Sequence, residues 1–320
     1  MSMTLIGGIF GLALLYYGAE FLVKGGSAIA LKLKVSPLVI GLTLVAYATS
    51  APEMVVSCDA AIKGLGDVSI GNVVGSNICN IALILGLCAI ITPLQVNKKL
   101  LQFDVWLMIA ASLALLGCFF LNSGVNRIEG AILLLCSIAY TVWSIYASRR
   151  ESAMEESKSA QDAATEITAP PSMNMLPAIA LAVGGISALV LGGKLFVNAA
   201  TLLAQLCGVS DAVIGLTVVA VGTSLPELAT SLVAAVRKEQ DIAIGNVIGS
   251  NIFNIFTILG VAPLISPLQA VGINYVDIFL MLGLSLILYI FMKSNLKISR
   301  TECAILLAVY IAYTVYLIMR

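Results

Sequence analysis

Ten apolar runs, each close to the length needed to cross a bilayer, follow one another along the chain: near 3–24, 37–62, 68–91, 101–121, 127–147, 175–197, 211–236, 242–264, 273–292 and 301–319. A hydrocarbon core about 30 Å thick takes about 20 helical residues. Only elements that satisfy their own backbone groups survive in it, so the pattern predicts an all-α membrane protein of ten transmembrane helices. One stretch breaks the series. Residues 148–173, "SRRESAMEESKSAQDAATEITAPPSM", mix charge, Ser, Ala and a Pro pair and read as a solvated linker between two groups of five spans, 1–147 and 174–320.

The basic residues fall unevenly on the two ends of the spans. Thirteen of the 17 Lys and Arg lie on one side, leaving Lys63, Arg127, Lys194 and Arg320 on the other. Cytoplasmic loops are enriched in Lys and Arg, so the linker is assigned to the cytoplasm and both termini to the outside of a cell inner (plasma) membrane. The first apolar run has no basic segment before it and no small-residue cleavage pattern after it, and reads as a retained helix.

The polar positions inside the runs repeat. Residues 41–86 align without a gap on residues 215–260 at an offset of 174, with 26 of 46 positions identical. Such self-similarity marks an internal duplication. Because each half has an odd number of spans, the second copy enters the membrane in the opposite direction. The architecture is an inverted repeat of two five-helix units, the arrangement of many secondary transporters, whose substrate site lies at the midplane between the copies.

Within the repeats, "ATSAPE" and "GTSLPE" place Glu53 and Glu227 at equivalent positions in the middle of a span. An intramembrane carboxylate costs about 2.5–3.5 kcal/mol or more on insertion scales, and the mid-span regions offer no base to neutralise these two. Pro52 and Pro226 cannot donate to the carbonyls one turn back, so each helix is expected to break just before its glutamate. Thr49, Ser50, Thr223 and Ser224 add hydroxyls to the same turn. In the following span of each half, Ser76 with Asn80 and Ser250 with Asn254 share one helical face, being four residues apart. Asn77 and Asn251 lie about a quarter turn away, while Asn72 and Asn246 open the motif. Gly71, Gly75, Gly245 and Gly249 suit close helix contact.

This donor set is all oxygen. Hard cations select it, whereas zinc and copper want thiolate or imidazole. Two glutamates carry a formal charge of −2, which one Ca2+, several Na+ or two protons could match, and competition for one site is how an exchanger couples two fluxes. Composition narrows the field further: 60% hydrophobic residues, 11% charged, a mean hydropathy of +1.05, net charge zero and no histidine. There is no basic footprint for nucleic acid, no phosphate loop, no nucleophile triad and no motif for a cofactor or a protein partner. The seven cysteines are scattered through apolar spans as small hydrophobes. An intramembrane hydrolase with a Glu53–Glu227 dyad would need unlike acid and base roles, against the symmetry of the two halves. A passive cation channel would ignore any counter-gradient.

"GTSLPE", "ATSAPE" and the two "GNVxGSN" blocks resemble the α-repeats of the cation/calcium exchanger superfamily, in its prokaryotic sodium/calcium exchanger group. The resemblance implies that the second, third, seventh and eighth spans surround the ions while the first and sixth slide across them to alternate access. It implies Ca2+ ligation by Glu53 and Glu227 with the carbonyls of Thr49 and Thr223. Sodium sites would draw on Ser50, Ser224, Ser76, Ser250 and the carbonyls of Ala46 and Ala220, and Asn80 and Asn254 would complete the centre. Some relatives carry Asp at one of the last two positions; here both are Asn. The residues leave protons and potassium open as coupling ions. In the sliding spans, Glu20 aligns with Lys194 at the same offset, and the two are expected either to pair or to anchor at opposite interfaces.

Overall fold

The computed structural model describes residues 2–161, 173–207, 220–269 and 272–319. Among the described residues, eight helices are long and apolar enough to span a membrane: α1 (Ser2–Leu33), α4 (Gly66–Ile91), α5 (Leu100–Asn122), α6 (Arg127–Gln161), α7 (Met175–Leu206), α10 (Gln240–Ile265), α11 (Tyr275–Asn295) and α12 (Arg300–Met319). Between α1 and α4 the chain forms one broken span, α2 (Pro37–Thr49) and α3 (Ala51–Ile62), bent by 48°. The corresponding span of the second half, expected at 211–236, lies partly outside the described residues. Its described portion consists of α8 (Ala220–Thr223) and α9 (Leu225–Val236).

Helix ends overrun the apolar runs. The apolar run near 127–147 predicts a helix that stops at the linker, but α6 continues to Gln161. Residues 148–161 are dominated by Ala, Glu, Arg, Lys and Ser, and extending an existing helix avoids the cost of a new nucleus. Lys99 and Glu151 pair across the start of this extension. The remainder of the linker, 162–172, lies outside the described residues. α1 likewise runs on past Lys24, the end of its apolar stretch, to carry Lys32 in its last turn, where a long side chain reaches the interface.

α4 and α10 form the centre. Their apolar windows are 72% and 78% buried, against 28% for α6 and for α7 and 11% for α12, which places those three on the lipid side. Four two-residue strands tie the halves together. β1 (Leu94–Gln95) pairs antiparallel with β4 (Lys297–Ile298), and β2 (Gly124–Val125) with β3 (Leu268–Gln269). Each pair joins a first-half segment to a second-half one. Since β1 precedes α5 and β2 follows it, the two clasps sit at opposite ends of the bundle. Matching ties recur inside each half: the Tyr140 hydroxyl donates to Asp104 Oδ1 (2.9 Å) and that of Tyr313 to Asp277 Oδ1 (3.0 Å), both across 36 residues.

α1 and α7 cross as antiparallel neighbours along small residues spaced by seven. A Cβ added to Gly11, Gly18 or Gly25 would lie 2.8 Å from Gly192 O, 2.9 Å from Gly185 O and 2.7 Å from Ala178 O respectively. Absence of side chains lets the two backbones touch at three places over about four turns. The opposite face of α1, with Met3, Ile6, Ile9 and Phe10, is exposed. Glu20 on this helix pairs with Arg237, at the end of α9, rather than with Lys194. Sequence offset located its pseudo-symmetric counterpart, and the ion pair instead joins α1 to the neighbouring broken span.

Candidate cation site at the helix breaks

The break between α2 and α3 is a single residue. Ser50 leaves the helical region (φ −83°, ψ 9°), and its twin Ser224 does the same before α9 (φ −89°, ψ 10°). Pro52 and Pro226 sit in the first turn of the helices that restart, where a missing N–H costs nothing. Glu53 and Glu227 follow in that first turn, so each carboxylate faces the partial positive charge of a helix N-terminus inside the membrane.

The two breaks cross-support each other. Ser50 Oγ donates to Glu227 Oε1 (2.7 Å), and Ser224 Oγ donates to Glu53 Oε1 (2.9 Å). All four residues are at most 1% exposed. The second oxygens tell the rest. Among the described residues, Glu53 Oε2, Glu227 Oε2, Asn80 Oδ1, Asn254 Oδ1 and Ser250 Oγ are buried with no hydrogen-bond partner, and neither glutamate forms a salt bridge. A buried polar oxygen without a donor costs about 1–3 kcal/mol, and more if charged. Four of these oxygens, on Glu53, Glu227, Asn80 and Asn254, can only accept and find nothing to accept from, and the Ser250 hydroxyl lies unpartnered with them. A cation meets that requirement; a neutral ligand would have to bring several donors.

Amide groups hold the frame around these oxygens. Asn72 Nδ2 donates to Glu53 O (3.1 Å) and Ser57 Oγ (2.9 Å), while Asn246 Nδ2 donates to Glu227 O (3.4 Å) and Ser231 Oγ (2.9 Å). Ser57 and Ser231, ordinary by residue type in an apolar span, are marked in the sequence only by their identity at the repeat offset. Thr49 Oγ1 donates to Asn246 Oδ1 (3.1 Å), tying α2 to α10. Ser76 Oγ lies 3.4 Å from Ser224 Oγ. The Ala46 carbonyl accepts from the Ser50 N–H (3.0 Å) and from Thr49 Oγ1 (3.3 Å), so it is engaged within its own turn. Ala220 opens α8 at the edge of the described residues, and Thr223 closes that helix.

α4 and α10 each change register at the asparagine that faces the site. Five-residue π-helical turns run from Asn80 to Ile84 and from Asn254 to Ile258. Such wider turns are rare within α-helices and frequent at functional positions. Beside α4, a cavity of about 620 Å3 reaches from Asp67 and Gly272 at one end of the bundle to Asn72 and Thr223 at the break. Among the described residues no cluster of three His, Cys, Asp or Glu could hold a metal. The candidate site is therefore a mixed cradle of carboxylate, amide and hydroxyl oxygens.

Paired helix breaks carrying buried, underpartnered oxygens, set in a bundle of membrane-length helices, suit an ion-translocating membrane protein, the class to which the chain's relatives belong. The chain belongs to the sodium/calcium exchanger protein family, whose profile matches residues 3–146 and 177–319. It is 35% identical to the sodium/calcium exchanger MaX1 of Methanosarcina acetivorans, with 97% of each chain covered. It is also 35% identical to the inner membrane protein YrbG of Escherichia coli, over 81% of this chain and 79% of that one. Among solved structures, the sodium-calcium exchanger NCX_Mj, soaked with zero Na+ and Ca2+, superposes with a TM-score of 0.82 at 36% identity. That match covers 99% of this chain and all of the other.

Proposed function

We propose that this chain is a secondary antiporter that exports Ca2+ in exchange for Na+, by alternating access to one site built from Glu53 and Glu227. The observation that carries the reading is the set of unpartnered buried oxygens on those two glutamates and on Asn80 and Asn254. Calcium takes six to eight oxygen ligands in adaptable geometry, whereas magnesium holds its waters. Two carboxylates balance one Ca2+, with Thr49 and Thr223 carbonyls completing its shell. When Ca2+ leaves, Na+ at Ser50, Ser224, Ser76, Ser250 and the Ala46 and Ala220 carbonyls restores the balance. Mutual exclusion follows from charge: the site cannot stay at −2 in a low-dielectric interior.

Inverted five-helix repeats give the exchange its symmetry, with the site between them and α1 and α7 sliding across it as one unit. Their glycine-lined crossing supports movement as one unit, since the backbones of α1 and α7 touch at Gly11, Gly18 and Gly25. Both termini are placed outside and the linker in the cytoplasm of the plasma membrane, on the distribution of Lys and Arg. MaX1 is named a sodium/calcium exchanger and YrbG an inner membrane protein, in keeping with this assignment. Protons are the competing coupling ion, because two protons neutralise the pair as well as one Ca2+.

Calcium uptake into proteoliposomes separates these readings. Uptake is expected when the lumen holds Na+ and an outward Na+ gradient is imposed, with none for K+ alone. Uptake driven by a pH gradient without Na+ would move the protein to proton coupling. Equilibration of Ca2+ without any counter-ion would make it a channel.

The Glu20–Arg237 pair is partly exposed and worth about 1 kcal/mol or less. Arg237→Glu should therefore change the exchange rate only a few-fold, and Glu20→Arg with Arg237→Glu should return it to the starting rate. A double reversal no better than either single one would remove the pair from the sliding motion.

A further inference from the structure

An asparagine that faces a cation poses a problem a glutamate does not. Its amide can turn either an oxygen or an NH2 group to the ion, and only the oxygen binds. We propose that Asn77 and Asn251 are positioning residues that decide this choice for Asn254 and Asn80, each acting across the interface between the two halves. The proposal rests on the cation-site reading above.

The direction of the amides follows from groups that can only accept. Asn77 Nδ2 donates to the backbone carbonyl of Asn251 (3.3 Å) and lies 3.7 Å from Met281 Sδ. Neither a carbonyl nor a thioether offers a proton. The NH2 of Asn77 must face them, and its Oδ1 then faces the other way, where it accepts from Asn254 Nδ2 at 3.0 Å. With its NH2 committed, Asn254 has its Oδ1 left over, buried and unpartnered.

The other half repeats the logic. Asn251 Nδ2 lies 3.6 Å from Met108 Sδ, and Asn251 Oδ1 accepts from Asn80 Nδ2 at 3.2 Å. Asn80 Oδ1 is then the free oxygen. All four asparagines are at most 1% exposed, so bulk water does not compete for these bonds. Two relays of the same polarity, each starting at an acceptor-only anchor and ending on an orphan oxygen, are more than packing requires. Removing Asn77 lets the Asn254 amide turn and bring N–H groups toward the ion. Asn254→Asp has no such choice, because its two oxygens are equivalent.

That difference supplies the test. Calcium is titrated calorimetrically into purified full-length protein carrying Asn77→Ala, Asn254→Asp or both, with Glu53→Gln as reference and monodisperse elution as the check on folding. Asn77→Ala alone should weaken Ca2+ binding about tenfold or more, as loss of an outer-layer partner does at metal sites. In the Asn254→Asp background the same change should cost less than about twofold, a coupling that independent sites would not show. Equal losses in both backgrounds, or none in the single variant, would overturn the positioning role. Should Asn77→Ala fail to fold, the twin pair Asn251→Ala and Asn80→Asp carries the same comparison. Retained Ca2+ binding in Glu53→Gln would instead remove the cation-site reading itself.

Discussion

Glu53→Gln and Glu227→Gln should each abolish calcium transport while leaving the protein as stable as before when calcium is absent. Glutamine keeps the volume of the side chain and an oxygen to accept the cross-half bond, Ser224 Oγ to position 53 or Ser50 Oγ to position 227. What it removes is the charge on an oxygen that has no donor in the folded protein. An uncompensated buried charge is a destabilising feature of the empty site, so losing it does not weaken the fold. The bound state is another matter. Removing one member of a buried charge pair costs about 3–5 kcal/mol, which is more than about a hundredfold in affinity. Thermal unfolding with and without calcium checks both halves of the expectation. Wild-type protein should gain stability as calcium rises above its dissociation constant, and each variant should show none of that gain at the same concentrations. A calcium-dependent shift that survives in either variant would remove that glutamate from the site.

Gly249→Ala should lower both thermal stability and transport, although it adds only one methyl group and no charge. An added Cβ would lie 2.5 Å from Leu42 O, 2.7 Å from Leu42 Cα and 2.8 Å from Ala46 Cβ. Two of those atoms are backbone, so no side-chain rotation relieves the contact and α2 must move away from α10. Overpacking of this kind costs about 1–3 kcal/mol. The displacement also reaches the site, because α2 carries the Thr49 hydroxyl that donates to Asn246 and leads directly into Ser50, the serine of the break that supports Glu227. A melting curve in detergent and the initial rate of calcium uptake are the two readouts. Gly117→Ala provides the control, since its Cβ would meet no described atom within 4 Å. An unchanged rate in Gly249→Ala would show that the α2–α10 seam does not set the position of the ligands.

Much of the site was readable along the chain. Glu53 and Glu227, the prolines beside them and the Ser and Asn four residues apart repeat at one offset, and an apolar background makes every polar residue conspicuous. Offset alignment pairs like with like, however: Ser50 with Ser224, and Glu53 with Glu227. The hydrogen bonds run the other way, from Ser50 to Glu227 and from Ser224 to Glu53. Glu20 aligned with Lys194 and bonds to Arg237. Asn77 and Asn251 stood beside the expected ligands with no role, because the polarity of an amide depends on what lies behind it. The continuation of α6 through 161 was hidden by composition: the same Glu, Lys, Ala and Ser that suit a solvated tether also prolong a helix that has already formed.

By itself the sequence determined that the chain lives in a bilayer, that it contains two related halves and that each half buries a carboxylate beside a broken helix. Those are consequences of hydropathy, periodicity and proline chemistry, which act over a few turns. Only the tertiary structure decided which half supplies the donors for the other half's glutamate, which oxygens are left free and which asparagine orients which. Those contacts join residues more than 140 positions apart in the chain. Their geometry is set by how two packed halves interdigitate, and no local rule carries it.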